Sequence, residues 1–227
     1  MSDSTSSSNG TCLRVWDLPT RLFHWVLFAA VTTSFLSMYA TNATSVHAWS
    51  GYTIMTLILF RLLWGFVGTQ TARFTDFVPG PRRLIAYLRH GEGGQIRLGH
   101  NPLGALSVLA LLASLTVQWA TGLFADDDIF FSGPLASLVS SDTRRLLTAI
   151  HHNNANVLIG LIALHVSAIA FYALFKRQNL VGPMFTGRRC LKPDERPDRK
   201  DITFAPWWKF ILGAAIAIAI TAWVVNR

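Results

Sequence analysis

One uncharged stretch decides the fold: residues 22–60 read LFHWVLFAAVTTSFLSMYATNATSVHAWSGYTIMTLILF. These 39 residues contain no Asp, Glu, Lys or Arg, and a helix of about 20 apolar residues is enough to cross the hydrocarbon layer of a bilayer. The stretch is therefore too long for one span. It breaks at the small polar segment 40–45, which predicts two membrane helices joined by a short turn.

The rest of the chain repeats this pattern. Further uncharged stretches occupy residues 101–125, 146–175 and 210–226. Only 14% of the 227 residues are charged and 51% are hydrophobic, whereas about a quarter of a soluble domain is charged. We therefore predict an all-α integral membrane protein, with spans at about 17–39, 46–67, 101–124, 149–175 and 206–225.

The segments outside the spans are polar. Residues 1–13 are predicted to be a disordered cytoplasmic tail, because their first eleven residues are low in complexity and lack the basic and apolar regions of a cleaved signal. Residues 14–177 form the predicted membrane domain. Residues 178–205 are a predicted basic cytoplasmic linker, and residues 206–227 a fifth transmembrane helix.

The net charge of +8 is unevenly distributed. With five spans and a cytoplasmic N-terminus, sixteen Lys and Arg residues lie on the cytoplasmic side and three on the outer side, as the positive-inside rule predicts. This placement argues against nucleic-acid binding. Cys12 and Cys190 fall on the cytoplasmic side, where we expect both thiols to stay reduced.

Four of the seven histidines lie within the predicted spans: His24, His47, His151 and His165. Ionisable residues inside a membrane are costly and usually functional. Since a helix turns by about 100° and rises about 1.5 Å per residue, His151 and His165 lie within about 40° of one face and about 21 Å apart. His152 points about 140° away from His165 and is the poorer match.

The depths of these residues predict two stacked bis-histidine sites, His24 with His165 on the cytoplasmic side and His47 with His151 on the outer side. Two imidazoles give a six-coordinate haem iron with no open position, which suits electron transfer. The alternatives are histidines that only link helices by hydrogen bonds, or a zinc or copper site, which lacks carboxylate or thiolate ligands here. A small residue follows each outer histidine by one turn, Gly51 and Ala155.

Two arginines near the cytoplasmic-side pair are candidate partners for haem propionates. Arg61 lies well inside a span, 14 residues after His47, and a buried guanidinium needs an anionic partner. No carboxylate of the protein is expected there, and a propionate would accept bidentate hydrogen bonds. The alternative is that Arg61 extends to the interface beside Trp64. Arg21, one turn before His24, is a second candidate.

Several motifs surround these residues: RVWDLPTRLFHW at 14–25, HAWSGY at 47–52, FRLLWGFVG at 60–68 with ARF at 72–74, GHNPLGA at 99–105, and HxxxA at 151–155 leading to ALHV at 163–166. Together they resemble the prokaryotic di-haem cytochrome b-561 family, which includes the b-type subunits of nickel–iron hydrogenases and formate dehydrogenases. The resemblance covers about residues 14–177. It implies a transmembrane four-helix bundle that binds two haems b through the four histidines. The fifth helix lies beyond this pattern.

In this family, the stretch matching GHNPLG opens the third helix near the cytoplasmic-side haem. By analogy, Asn101 and His100 are candidate contacts for a quinone head group. The simpler alternative is that Asn101 caps a helix whose first-turn residue is Pro102.

The resemblance implies electron transfer across a bacterial inner membrane, with the N-terminus cytoplasmic and the C-terminus periplasmic. Quinone or quinol would exchange electrons with a periplasmic cytochrome c or dehydrogenase subunit, and membrane lipid surrounds the chain. The protein would be an electron-transfer protein or a subunit of a quinone-linked oxidoreductase. Two alternatives stay open: a stand-alone oxidoreductase that passes electrons from a small reductant such as superoxide to quinone, and a haem-free, histidine-dependent transporter.

Overall fold

The structure is a computed structural model, and it describes residues 12–41, 43–91, 95–96, 98–127, 131–191, 196–197 and 201–227. Of the features predicted above, residues 1–11 of the tail and residue 42 of the first turn lie outside this part of the chain. So do four of the basic residues that were assigned to the cytoplasmic side, Arg97, Lys192, Arg199 and Lys200.

The described chain is mostly helical. Its α-helices are α1 (Leu18–Tyr39), α2 (Thr44–Val67), α3 (Phe74–Phe77), α4 (Pro81–His90), α5 (Pro102–Gly122), α6 (Ser141–Leu174), α7 (Val181–Thr186) and α8 (Trp207–Val225). Short 3₁₀ turns lie at Gln70–Ala72 and Ala136–Leu138, and short strands are β1 (Cys12–Arg14), β2 (Gln95–Ile96), β3 (Arg188–Cys190) and β4 (Arg196–Pro197). Helices α1, α2, α5, α6 and α8 are long and apolar enough to cross a membrane, which confirms the predicted fold of a four-helix bundle with a fifth span.

Two of the long helices begin at caps that are visible in the sequence. Asp17 precedes α1, and its Oδ1 accepts a hydrogen bond from the backbone N–H of Thr20 at 2.9 Å. Asn101 precedes α5, and its Oδ1 accepts from the N–H of Gly104 at 2.7 Å. Each cap satisfies one of the N–H groups that a helix leaves unpaired at its start.

Helix α6 begins at Ser141, eight residues before the predicted start of the fourth span. Ser140 caps it through the N–H of Thr143. The first turns of α6 lie before the uncharged stretch from which the span was predicted. Their charged residues are paired: Arg144 binds Asp126 at 2.7 Å and Arg145 binds Asp142 at 2.6 Å. The additional turns carry α6 beyond its apolar stretch.

The helices pack in the order α1, α2, α5, α6, with α8 against the outside of α2. The core between them is apolar and includes Ile58, Trp64 and Leu115. Helices α1 and α6, both fully described, are not packed against each other along their length. All four candidate ligand histidines lie on α1, α2 and α6.

Among the long helices, the fifth span packs mainly against α2. Thr56 of α2 donates a hydrogen bond to Thr221 of α8 at 2.9 Å, and Ala217 is fully buried between them. A Cβ added at Gly213 would lie 3.6 Å from the Phe60 ring, so the two helices approach closely there. Helix α8 therefore widens the bundle without reaching the histidines on α6.

The end of the bundle where α1 begins, which we call the N-terminal end, is covered by a small sheet. Strand β1 pairs antiparallel with β3, so that Cys12 lies opposite Cys190, and the two form a disulfide. The prediction of two reduced thiols is therefore wrong, because the pairing brings together residues 178 positions apart. The stretch predicted as a linker thus contributes α7 and β3 to the packed structure.

Gly187, at the end of α7, needs to be a glycine. Its φ is +77°, in the left-handed region that residues with a side chain rarely adopt. A Cβ there would lie 2.8 Å from the carbonyl oxygen of Trp16, and the carbonyl of Gly187 accepts hydrogen bonds from the N–H groups of Val15 and Trp16. This contact fixes the chain just before α1.

Candidate site: two histidine pairs along the bundle

Two of the histidines, His47 and His151, face each other at the end of the bundle opposite the N-terminal end. We call them the far pair. Their ring centroids are 6.0 Å apart and their planes are 87° apart. Because metal–imidazole bonds are about 2 Å long, rings at this separation can both bind one metal ion lying between them. His152, the neighbour of His151, is an exposed residue.

Helix α5 fixes the ring of His151. Nδ1 of His151 lies 2.9 Å from the main-chain oxygen of Gln118, and a carbonyl oxygen only accepts, so Nδ1 carries the proton. Nε2 is then an acceptor with its lone pair available to a ligand. In this structure the side-chain amide of Gln118 donates to that nitrogen at 3.2 Å.

The side chain of Gln118 is itself held in place. Asn154 donates through Nδ2 to Oε1 of Gln118 at 2.7 Å and to the carbonyl of Ser114 at 2.9 Å. The hydroxyl of Ser114 donates back to Oδ1 of Asn154 at 3.1 Å. We call Ser114, Asn154 and Gln118 the amide chain, and it links α5 to α6 next to the far pair.

Gly122 provides space for the same ring. A Cβ at this position would lie 2.9 Å from Cε1 and 3.1 Å from Nδ1 of His151. Gln118, Thr121 and Gly122 stand at helical spacings of three and four residues, so they lie on one face of α5. The hydroxyl of Thr121 is 3.5 Å from Nδ1 of His151. This face of α5 is therefore shaped to hold an imidazole.

Helix α1 fixes the other ring of the far pair. Nδ1 of His47 lies 3.1 Å from the main-chain oxygen of Ser34 and 3.1 Å from its hydroxyl. As at His151, the bond to a carbonyl makes Nδ1 the donor and Nε2 the nitrogen that can bind a metal. One turn beyond His47, a Cβ at Gly51 would have no neighbour within 4 Å, so there is open space beside the pair, as a flat macrocycle requires.

The other two histidines, His24 of α1 and His165 of α6, form the near pair, toward the N-terminal end. They lie close enough to interact electrostatically. The ring of His24 makes an edge contact with Trp25 at 5.0 Å between centroids. Its Nδ1 is buried and has no hydrogen-bond partner among the described residues. The structure therefore brings these histidines near each other, and among the described residues Nδ1 of His24 has no carbonyl anchor like those of the far pair.

Arg61 is buried at the N-terminal end, with 3% of its surface exposed. Its guanidinium lies 5.3 Å from the ring centre of Phe74. Asp17 is close enough to act on it electrostatically, and the expectation that no carboxylate lies nearby is wrong, because folding brings the cap of α1 beside the end of α2. Nη1 of Arg61 has no hydrogen-bond partner among the described residues.

Arg21 is engaged with the segment that follows α6. Its Nη1 donates to the carbonyl of Phe185 in α7, while its Nε is buried without a hydrogen-bond partner in the described part of the chain. Trp25 supports the same contact, because it donates to the carbonyl of Met184 at 3.2 Å and stacks on Phe185 at 4.2 Å.

Asn101 and His100 lie at the N-terminal end where α5 begins. Asn101 caps α5, as its alternative interpretation predicts, and it also donates through Nδ2 to the hydroxyl of Tyr172 at 2.7 Å. That hydroxyl is 2.9 Å from the hydroxyl of Tyr87 in α4. His100 packs against the rings of Trp16 at 4.9 Å and Phe77 at 5.1 Å.

Sequence reasoning missed the residues that hold these side chains. The amide chain, Ser34 and Gly122 were not singled out, although polar residues spaced four apart inside a span, such as Ser114 and Gln118, were a visible signal. The link between Asp17 and Trp64, whose Nε1 donates to Oδ2 at 3.1 Å, joins residues 47 positions apart, and the sequence carries no local sign of it.

Comparison with known proteins matches most of the chain to membrane cytochromes. The family described as prokaryotic cytochrome b561 matches residues 15–187, a range that includes all four histidines. Relatives from three organisms share the name "Probable Ni/Fe-hydrogenase B-type cytochrome subunit". The chain is 26% identical to the protein of Azotobacter vinelandii, covering 83% of this chain and 92% of the relative. It is 27% identical to that of Azotobacter chroococcum mcd 1, with the same coverage, and 24% identical to that of Rhodobacter capsulatus, covering 85% and 87%.

Proposed function

Because the chain belongs to the prokaryotic cytochrome b561 family, whose members are membrane b-type cytochromes, we propose that it binds two haems b and carries electrons between quinone and a redox partner at opposite faces of the membrane. The family implies haem b and electron transfer. The number of haems, their ligands, the quinone and the partner are the proposal.

The observation that carries the proposal is the geometry of the far pair. Two imidazoles stand 6.0 Å apart, each has its Nδ1 proton bound to a carbonyl, and open space adjoins them at Gly51. Such rings would hold a haem through their Nε2 atoms, and the haem would then serve electron transfer. His24 and His165 would hold the second haem at the near pair. Bound there, haem supplies a one-electron iron couple.

Two buried nitrogen atoms support a haem at the near pair. Nη1 of Arg61 and Nε of Arg21 are both buried without hydrogen-bond partners among the described residues, and a buried polar group of this kind is costly unless a ligand satisfies it. A carboxylate group of the macrocycle would accept hydrogen bonds from these arginines. Asp17 already offsets part of the charge of Arg61.

We propose that the N-terminal end of the bundle faces the cytoplasm, because the positively charged segments gather there. The Cys12–Cys190 disulfide also lies at this end, and since such bonds are rare in a reducing compartment it weighs against this orientation. Quinone would bind at this end beside Asn101 and His100. The contact of Asn101 with Tyr172 uses one of the two N–H groups of its amide, so a quinone oxygen could accept the other. The protein partner would dock at the far-pair end. The names of the relatives favour a hydrogenase-like dehydrogenase subunit there, and a cytochrome c is the alternative.

The purified protein tests this proposal. We expect two haems b per chain by pyridine haemochromogen assay, and reduction of the haem by an added quinol. A matched variant with both His24→Ala and His47→Ala should fold as a membrane protein of the same helicity but contain no haem. A wild-type protein without haem would overturn the proposal and favour the haem-free transporter, and a single haem per chain would remove the second site.

A further inference from the structure

His24 of the near pair differs from both histidines of the far pair in how its Nδ1 atom is bonded. At the far pair, His151 and His47 donate to the main-chain oxygens of Gln118 and Ser34. At the near pair, Nδ1 of His24 is buried and has no hydrogen-bond partner among the described residues. The anchors are main-chain groups of α5 and α1, so they are set by helix packing.

A hydrogen bond from Nδ1–H to an oxygen changes the ligand as well as its orientation. It fixes the tautomer that presents Nε2, and it makes the ring a stronger electron donor. A more electron-donating axial ligand stabilises the oxidised state of iron, so it lowers the reduction potential. Burial and nearby positive charge act in the other direction, and Arg61 lies at the near-pair end.

We propose that Gln118 and Gly122 are positioning residues for His151, as Ser34 is for His47, and that the far pair consequently has the lower reduction potential of the two sites. The inference rests on the proposed function, because it needs haem at both pairs. Gln118 supplies the acceptor for Nδ1, and Gly122 leaves the space in which the ring can reach it. The amide chain holds the side chain of Gln118 beside Nε2, so this side chain must turn aside when iron binds.

The order of potentials is tested first on the wild-type protein. A redox titration of the reduced haem band should resolve two components, and His151→Ala should remove the one of lower potential. The inference is overturned if His151→Ala removes the component of higher potential, or if the wild type, with two haems, titrates as a single component. A wild type lacking two haems would instead contradict the proposed function, so the two failures are distinguishable by haem content.

The positioning role is tested by Gly122→Ala, whose Cβ pushes the His151 ring away from the carbonyl of Gln118. We expect the lower of the two potentials to rise. A tenfold change in the equilibrium constant for reduction is typical of the effects of outer-sphere groups at metal sites, and it corresponds to about 59 mV for a one-electron couple. The other component should stay in place. Gly160→Ala is the matched control, since a Cβ there has no neighbour within 4 Å, and it should move neither component.

If Gly122→Ala binds haem only at the near pair, the ring requires the space at Gly122, which supports positioning. Gln118→Leu then serves as the second variant, because it keeps the main-chain acceptor but breaks the amide chain. We expect it to retain both haems and to shift only the lower potential, by a smaller amount. The inference is contradicted if either variant shifts both potentials. It is also contradicted if neither variant shifts any potential.

Discussion

At the far pair each histidine is anchored by a carbonyl of a neighbouring helix, whereas at the near pair the described residues provide no such bond for Nδ1 of His24. The end of the bundle toward which the near pair lies also buries two charged residues, Arg61 and Asp17. If both pairs hold haem, as proposed, different groups would therefore set the reduction potential at each pair. We expect hydrogen bonds to matter most at the far pair and charge to matter most at the near pair.

The largest expected effect concerns which histidine of α6 belongs to the far pair. His151→Ala should leave one haem per chain, because it removes a ligand that faces His47 at 6.0 Å. His152→Ala is the control, since this residue is exposed, and it should keep both haems. Haem content per chain and the redox titration provide the measurement. If His152→Ala loses a haem and His151→Ala keeps both, then His152, and not His151, belongs to the far pair.

The next effect tests whether charge tunes the near pair alone. A buried positive charge stabilises the reduced iron, and Arg61→Leu removes such a charge. The potential of the near pair should therefore fall by about 59 mV, which is a tenfold change in the equilibrium constant for reduction. The far pair should be unchanged. Arg145→Leu is the matched control, because Arg145 is exposed and pairs with Asp142. If Arg61→Leu instead shifts the reduction potential of the far-pair component, the charge of Arg61 does not act on the near pair alone.

A smaller effect is expected for exchange with quinol at the N-terminal end. Asn101→Asp keeps an oxygen that can cap α5 but removes the N–H donors of the amide, so we expect the rate of haem reduction by quinol to fall severalfold. Tyr172→Phe removes only the hydroxyl bonded to Asn101 and should have less effect. Stopped-flow reduction measures the rate, and thermal unfolding checks that the cap is preserved. If quinol reduces the haem at the same rate in the wild type and in Asn101→Asp, quinone does not bind beside Asn101.

The smallest effect concerns the start of α6. Ser140→Ala removes a helix cap, which costs about 1 kcal/mol, and thermal unfolding should shift accordingly. Both potentials should stay as in the wild type, because the anchors of His151 lie on α5. Ser137→Ala, an exposed serine before the helix, is the control. A shift of the far-pair potential in Ser140→Ala would mean that α6 itself, and not α5, holds the ring.

The sequence was sufficient to predict the five spans, because uncharged length has a direct physical meaning in a bilayer. The shared helix face of His151 and His165 likewise follows from their 14-residue spacing and helix geometry alone. The anchors of the far pair could not be predicted, since a main-chain carbonyl is present at every residue and only packing selects Gln118 and Ser34. For the same reason the disulfide was missed, because Cys12 and Cys190 meet through a strand pairing that has no local signal.

Helix α6 carries one member of each pair on a single uninterrupted rod. Inserting or deleting one residue between His151 and His165 would swing one imidazole by about 100° relative to the other and shift it by about 1.5 Å. No loop in that interval could absorb the change. Natural variation in chain length should therefore accumulate in the connections outside this interval, where an added residue leaves the register of the two rings intact.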